Sequence, residues 1–163
     1  MKSREVCPTP TPSLRVVKAW LALFGACAAL LSTPSLGLAG ALSVERAWVE
    51  PNDKIGDDIG LYMTVRNEAD SADALVRAAC PFANFSEKRA VDVGEGGLSN
   101  RAVPNIPVAA HTTLTMTAKT FHVGLLQTRD ALTAGATFTC NLSFRNAGPM
   151  EVKVTVSPSA PQG

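Results

Sequence analysis

Phe138, Cys140, Leu142 and Phe144 alternate one for one with Thr137, Thr139, Asn141, Ser143 and Arg145. Successive side chains on a strand point to opposite faces, so this pattern specifies a strand with one apolar and one polar face. A helix would scatter the same residues around its axis. After a turn at Asn146-Ala147-Gly148-Pro149 the alternation resumes, with Val152, Val154 and Val156 set against Glu151, Lys153 and Thr155. The two runs predict a β-hairpin. The same period sets Leu114, Met116 and Ala118 against Thr113, Thr115 and Thr117, and Leu61, Met63 and Val65 against Tyr62, Thr64 and Arg66. Residues 42–50, 74–80 and 120–127 read as further strands. No stretch carries three turns of amphipathic helix. Seven or so short strands with Gly, Pro, Asn and Asp turns predict an all-β fold, an antiparallel sandwich or barrel.

The start of the chain is different in kind. Lys2, Arg4, Arg15 and Lys18 are opposed only by Glu5, and residues 19–31 (AWLALFGACAALL) are apolar and uncharged. This run of 13 residues is shorter than the roughly 20 that a membrane-spanning helix needs. Two small-x-small sites follow, Gly37-Leu38-Ala39 and Ala39-Gly40-Ala41. The segment 1–41 therefore reads as a cleavable secretory signal, cut after Ala39 or Ala41. A retained anchor and lipid attachment at Cys27, in Phe24-Gly25-Ala26-Cys27, are the competing readings; Phe24 fits the first position of that motif poorly. Cleavage leaves about 122–124 residues, room for one domain. The expected organisation is a β domain over 42–157 and a disordered Pro/Ser-rich tail over 158–163. The expected location is periplasmic or secreted, with no integral membrane segment in the mature chain.

Beyond residue 41 there are 11 basic and 13 acidic residues, so no basic surplus argues for nucleic acid. No G-x-S-x-G elbow, H-E-x-x-H pair or phosphate-binding loop is present, and no enzyme activity is expected. Gly94-Glu95-Gly96-Gly97 reads as a flexible loop. Asp53, Asp57 and Asp58 lack calcium-loop spacing and read as a solvated loop. The histidines are His111 and His122. His122, between Phe121 and Val123, is either a hydrogen-bonded histidine at a sheet end or a metal ligand. His111 reads as a loop residue, and Met116 has the parity of the core.

Cys7 and Cys27 fall in the removed segment, leaving Cys80 and Cys140. An even pair in an exported domain predicts one disulfide, with two buried thiols or a thiolate pair on a soft metal as the alternatives. Cys140 lies on the apolar face of its strand, and Cys80 shares parity with Val76 and Ala78. A bridge closing a loop of about 60 residues contributes about 3–4 kcal/mol in the chain-entropy description.

Four segments, in order, resemble the PCu(A)C family of periplasmic copper chaperones. ALSVERAWVEP (41–51) is similar to the family's first strand, with Trp48 at its Trp. GLYMTVRNEADSADAL (60–75) is similar to its Tyr-Met-Thr strand. VPNIPVAAHTTLTMTAKTFHVGLL (103–126) resembles the stretch that leads to its His-x-Met, and LTAGATFTCNLSFRNAGPMEVKVTV (132–156) resembles its closing strands. The resemblance implies a cupredoxin-like β-barrel and a role in carrying copper(I) to oxidase assembly or other copper-trafficking proteins. It also implies a ligand set of two His and two Met, a soft field suited to that ion. In this chain His122 falls at the second His. The x-Met position is Gly124, the preceding Met position is Asn100, and the first His falls at Ser86 or, by strict spacing, at Arg89. The family's Gly-Gly before the second His is Lys119-Thr120. His122 alone is retained, so the resemblance implies a copper chaperone-like framework with a degenerate metal site. Two readings follow: a rebuilt copper site using His122 and His111 with Met116 or Met150, or a metal-free interaction or assembly module on the same fold.

Overall fold

The computed structural model describes residues 41–94 and 97–161. Nearly all of the expected signal segment and the last two residues of the expected tail lie outside the described residues. The elements are β1 (Leu42–Val49), β2 (Ile59–Asn67), β3 (Asp73–Ala79), β4 (Ala83–Gly94), β5 (Gly97–Ala102), β6 (Ile106–Val108), β7 (Thr112–Met116), β8 (Phe121–Thr128), β9 (Thr137–Phe144) and β10 (Gly148–Val156). They form one curled sheet in the order β5-β4-β8-β2-β1-β10-β9-β3-β6, with β7 also paired to β2. The fold is all-β, as expected. The sheet is mixed rather than wholly antiparallel, because the first and last strands, β1 and β10, lie side by side and run the same way. Among the described residues no helix is long and apolar enough to cross a membrane.

The alternating residues fill the interior. Leu61, Met63, Val65, Met116, Leu142 and Val154 are buried in one cluster. Two expectations change. Ala118 is exposed, because β7 stops at Met116. The chain then turns back through Thr117, whose amide donates to Thr120 Oγ1 at 3.0 Å. Tyr62 and Thr64 are buried as well as their apolar neighbours, so β2 is covered on both faces.

The sequence pattern did not reveal β4, β5 or β6. Gly94 ends β4, Gly97 opens β5 and the two pair; Glu95 and Gly96, the middle of the expected flexible loop, lie outside the described residues. The positive φ of Gly97, 102°, is a backbone state that glycine adopts without steric cost. Along β4 the side chains facing β3 are polar and bonded. Lys88 Nζ donates to the Val76 carbonyl at 2.8 Å, and Ser86 Oγ donates to the Ala78 carbonyl. These bonds join β4 to β3 where no strand ladder does, and they satisfy backbone acceptors that would otherwise lack partners.

Cys80 and Cys140 form a disulfide, with Cα atoms 4.4 Å apart and a sequence separation of 60. The register that sets Ala79 opposite Asn141 brings them together at the end of β3. Both are buried, and the Phe82 and Phe138 rings pack beside this end at 4.6 Å. At the other end of β3, buried Asp73 accepts hydrogen bonds from the amides of Ala74, Asn146 and Ala147 at 2.7, 2.9 and 2.9 Å. Burial pushes the Asp73 carboxyl upward. The backbone donors of Asn146, Ala147, Ala74 and Arg145 outweigh it and hold the carboxyl below the ordinary aspartate range.

Two outcomes are expected. The oxidised protein will show no titratable thiol at Cys80 or Cys140, and reduction will lower unfolding stability by about 3–4 kcal/mol in a denaturant titration. Asp73→Ala will lower stability at neutral pH by about 1–3 kcal/mol, the cost of leaving buried donors unpaired. Because the folded-state carboxyl is depressed, the Asp73 contribution is present above the ordinary aspartate value of about 4 and lost as pH falls below it. Acid titrations of the variant will therefore lack that part of the wild-type loss.

Candidate functional site

Pairing register places a row of side chains across four strands on the outer face of the sheet. Trp48 of β1 stands opposite Tyr62 of β2, with ring centroids 5.0 Å apart. Leu61 pairs with Val123, so the following residue, Tyr62, lies across from His122 of β8, and their ring centroids are 6.1 Å apart. His122 in turn pairs with Arg89 of β4. A second row runs beside the first, in which Gly124 pairs with Gly60 on one side and Glu87 on the other.

The two glycines carry the larger neighbours. A Cβ on Gly60 would lie 2.3 Å from the Tyr62 hydroxyl, and one on Gly124 would lie 3.0 Å from Arg89 Nε. Tyr62 and Arg89 therefore lie flat over bare backbone. Arg89 Nε donates to Glu87 at 3.0 Å. Arg89, Asn100, His122 and Gly124 share one cleft of about 210 Å³ with Tyr62, Gly60 and Asp58.

His122 is buried, and its Nδ1 has no hydrogen-bond partner. Burial lowers its pKa first, the Arg89 charge lowers it further, and the Thr120 backbone acts the other way. The imidazole is thus held neutral beside a fixed cation. Burial also raises the Tyr62 phenol, with the Glu50 charge adding to it, so that hydroxyl keeps its proton.

Of the two positions that strict and loose spacing left open, Arg89 lines this cleft. Ser86 faces β3 and bonds the Ala78 carbonyl. The residues of the rebuilt-site reading are not gathered here. His111 is an exposed residue in the turn before β7, bonded to Asp70 at 3.0 Å. It borders a different cleft of about 450 Å³ with Arg66, Asn67 and Glu68. Met116 pairs with Met63 in the interior, and Met150 of β10 pairs with Leu142 of β9. Among the described residues, no three His, Cys, Asp or Glu side chains gather as a metal site. Sequence reasoning missed Gly60 and the burial of Tyr62. The one available signal was spacing: each glycine stands two residues from an aromatic ring, Gly60 from Tyr62 and Gly124 from His122.

Residues 42–156 match the LpqE-like family, described as one of lipoproteins. No curated protein matches the chain. Among solved structures, the copper-bound PCuAC domain from PmoF2 is 21% identical, with a TM-score of 0.61 over 75% of this chain and 95% of that one. The apo PCuAC domain from PmoF1 is 19% identical, with a TM-score of 0.62 over 75% and 96%. The Cu(I) form of DR1885 from Deinococcus radiodurans is 27% identical, with a TM-score of 0.58 over 76% and 84%.

A lowered histidine pKa stabilises the fold above the ordinary histidine value of about 6.5, and that contribution is lost as pH falls below it. Wild-type stability will therefore decline as pH falls below about 6.5. Denaturant midpoints of His122→Gln across this range will be flatter, and Arg89→Gln will raise the His122 pKa read by NMR titration.

Proposed function

The chain belongs to the LpqE-like family and shares the fold of PCuAC domains, and from that premise we propose that it is an exported, non-catalytic assembly module. On this reading it keeps a copper-chaperone framework with its ligand positions closed to Cu(I). The observation that carries it is the Arg89 guanidinium lying over Gly124 beside His122. At the positions where the resemblance implies two imidazoles and two thioethers stand His122, Arg89, Asn100 and Gly124. Guanidinium has no lone pair to offer a metal, and glycine has no side chain. The amide of Asn100 is a hard ligand, poorly matched to a soft ion.

Two of the changes are complementary. Glycine at 124 vacates the volume that a methionine would fill, and Arg89 lies in it. Arg89 is paired with Glu87 at 3.0 Å, so what it denies a metal is chiefly space and a ligand: the guanidinium fills the volume and offers no lone pair. The cleft is supplied with a cation from its own chain.

Non-catalytic action rests on the copper-chaperone resemblance and on the lack of a catalytic motif in the sequence. Export rests on the basic and apolar start of the chain and on the expected surroundings of a disulfide. The match to a family described as lipoproteins supports lipid attachment at Cys27 as a second reading of how the segment is processed. Partners in copper trafficking or oxidase assembly are those the resemblance implies.

The test is a Cu(I) titration against a competing chelator, with the chain copper-free at the start. Wild type is expected to leave the chelator's copper untouched. The triple variant Arg89→His, Asn100→Met, Gly124→Met, which keeps His122, is expected to take about one equivalent and to lose it on His122→Ala. Tight binding by wild type that weakens in His122→Ala would overturn the closed-site reading in favour of a rebuilt centre. Tight binding indifferent to His122 would overturn it in favour of a site elsewhere, with His111 the first to substitute.

A further inference from the structure

Two large apolar side chains stand in solvent among the described residues, Ile55 at 68% and Phe85 at 62% exposure. They flank the same end of β8. Phe85 pairs with Leu126 on one side of that strand. On the other side the loop carrying Ile55 is stitched to Thr128: the Gly56 amide donates to its carbonyl at 2.7 Å, and its hydroxyl donates to the Lys54 carbonyl at 3.2 Å. One strand lies between the two flanks, so their backbones are about 10 Å apart, two strand spacings. Half-buried Leu126 lies between them and borders the cleft of Arg89 and His122.

The surroundings of this patch are acidic. The loop from β1 to β2 carries Glu50, Asp53, Asp57 and Asp58, all exposed, against Lys54 alone. No salt bridge involves any of these four carboxylates among the described residues. Asp57 accepts only from Asn52 and Asp58 from the Gln127 amide. Glu87 is paired with Arg89, and beyond β8 the Arg129 guanidinium donates to the Pro81 carbonyl, with Asp130 next to it in the chain. Apolar residues beside unpaired charge of one sign form a surface that selects its partner by charge while gaining affinity from burial. A second copy of this chain would bring the same carboxylates face to face, so like-charge repulsion disfavours self-docking.

We propose that Ile55, Phe85 and Leu126, rimmed by Asp53, Asp57 and Asp58, dock a segment of a partner protein whose apolar side chains are flanked by lysine or arginine. The proposal rests on the assembly-module reading and names the chemistry of its partner.

Three short synthetic peptides test it on the copper-free protein, by NMR shift mapping and calorimetry. One carries Leu and Phe with Lys, one replaces each Lys with Glu, and one keeps Lys with Ser in place of the apolar residues. The first is expected to bind with shifts centred on residues 55, 85 and 126. The double variant Ile55→Ser, Phe85→Ser is expected to weaken it at least tenfold, a difference of about 1.4 kcal/mol. Raising salt is expected to weaken it as well. Both substitutions are at exposed positions, so the fold is retained, which the dispersion of the remaining amide signals verifies. Equal binding of the Glu peptide, shifts centred elsewhere, or no binding of the Lys peptide would each overturn the proposal. So would self-association seen by sedimentation and abolished by the double variant, which would assign the patch to a second copy. These outcomes are read without copper, so they fail or succeed separately from the chelator competition.

Discussion

Cross-strand register is the constraint on which the rest of this molecule depends. Residues that face each other in a ladder put their side chains on one face, and here that stacks Trp48, Tyr62, His122 and Arg89 in a row over four strands. A slip of one residue at any of the three ladders would send its side chain to the interior and replace it with an apolar neighbour. The row packs as a small second core on the outside of the sheet, which is why Tyr62 is buried although it has the parity of an exposed face. Two remote devices hold that register. The disulfide ties β3 to β9, and Lys88 and Ser86 tie β4 to β3.

Within the row, the balance of charge and volume explains the cleft. Burying a histidine favours its neutral form, and placing it beside an arginine favours that form again. Arginine remains charged under all ordinary conditions, so the local cation is permanent. Glu87 partners it at the rim, and the glycines at 60 and 124 leave the space in which Tyr62 and Arg89 lie flat. The relatives with this fold include domains described as copper-bound and Cu(I)-bound. In this chain the cleft of Arg89, Asn100, His122 and Gly124 has a guanidinium and an imidazole side by side.

The polarity of β4 explains why it escaped notice. Its run through Asn84, Ser86, Glu87, Lys88 and Arg89 has no apolar alternation, because its inner side chains bond carbonyls of β3 and its outer ones pair with each other. Such a strand is specified by partners far away in the chain. β6 is only three residues long, too short for any period to show. By contrast β9, β10, β2 and the disulfide pair were legible, since each is a local alternation or the last remaining pair of cysteines.

The sequence by itself determined the all-β class, the inward parity of most strands and the place of His122 between Phe121 and Val123. Those follow from period two, a property of neighbouring residues, and from simple inspection of residue types. Only the tertiary structure decided that Arg89 and not Ser86 shares the cleft with His122, and that Gly124 and Gly60 lie beneath Arg89 and Tyr62. It also decided that His111, Met116 and Met150 lie apart from it. The reason is that pairing between β4 and β8 joins residues more than thirty positions apart, with a seam to β3 fixing which face each presents. Which face a side chain takes is written locally, but its opposite number is set by register, and register is a property of the whole sheet.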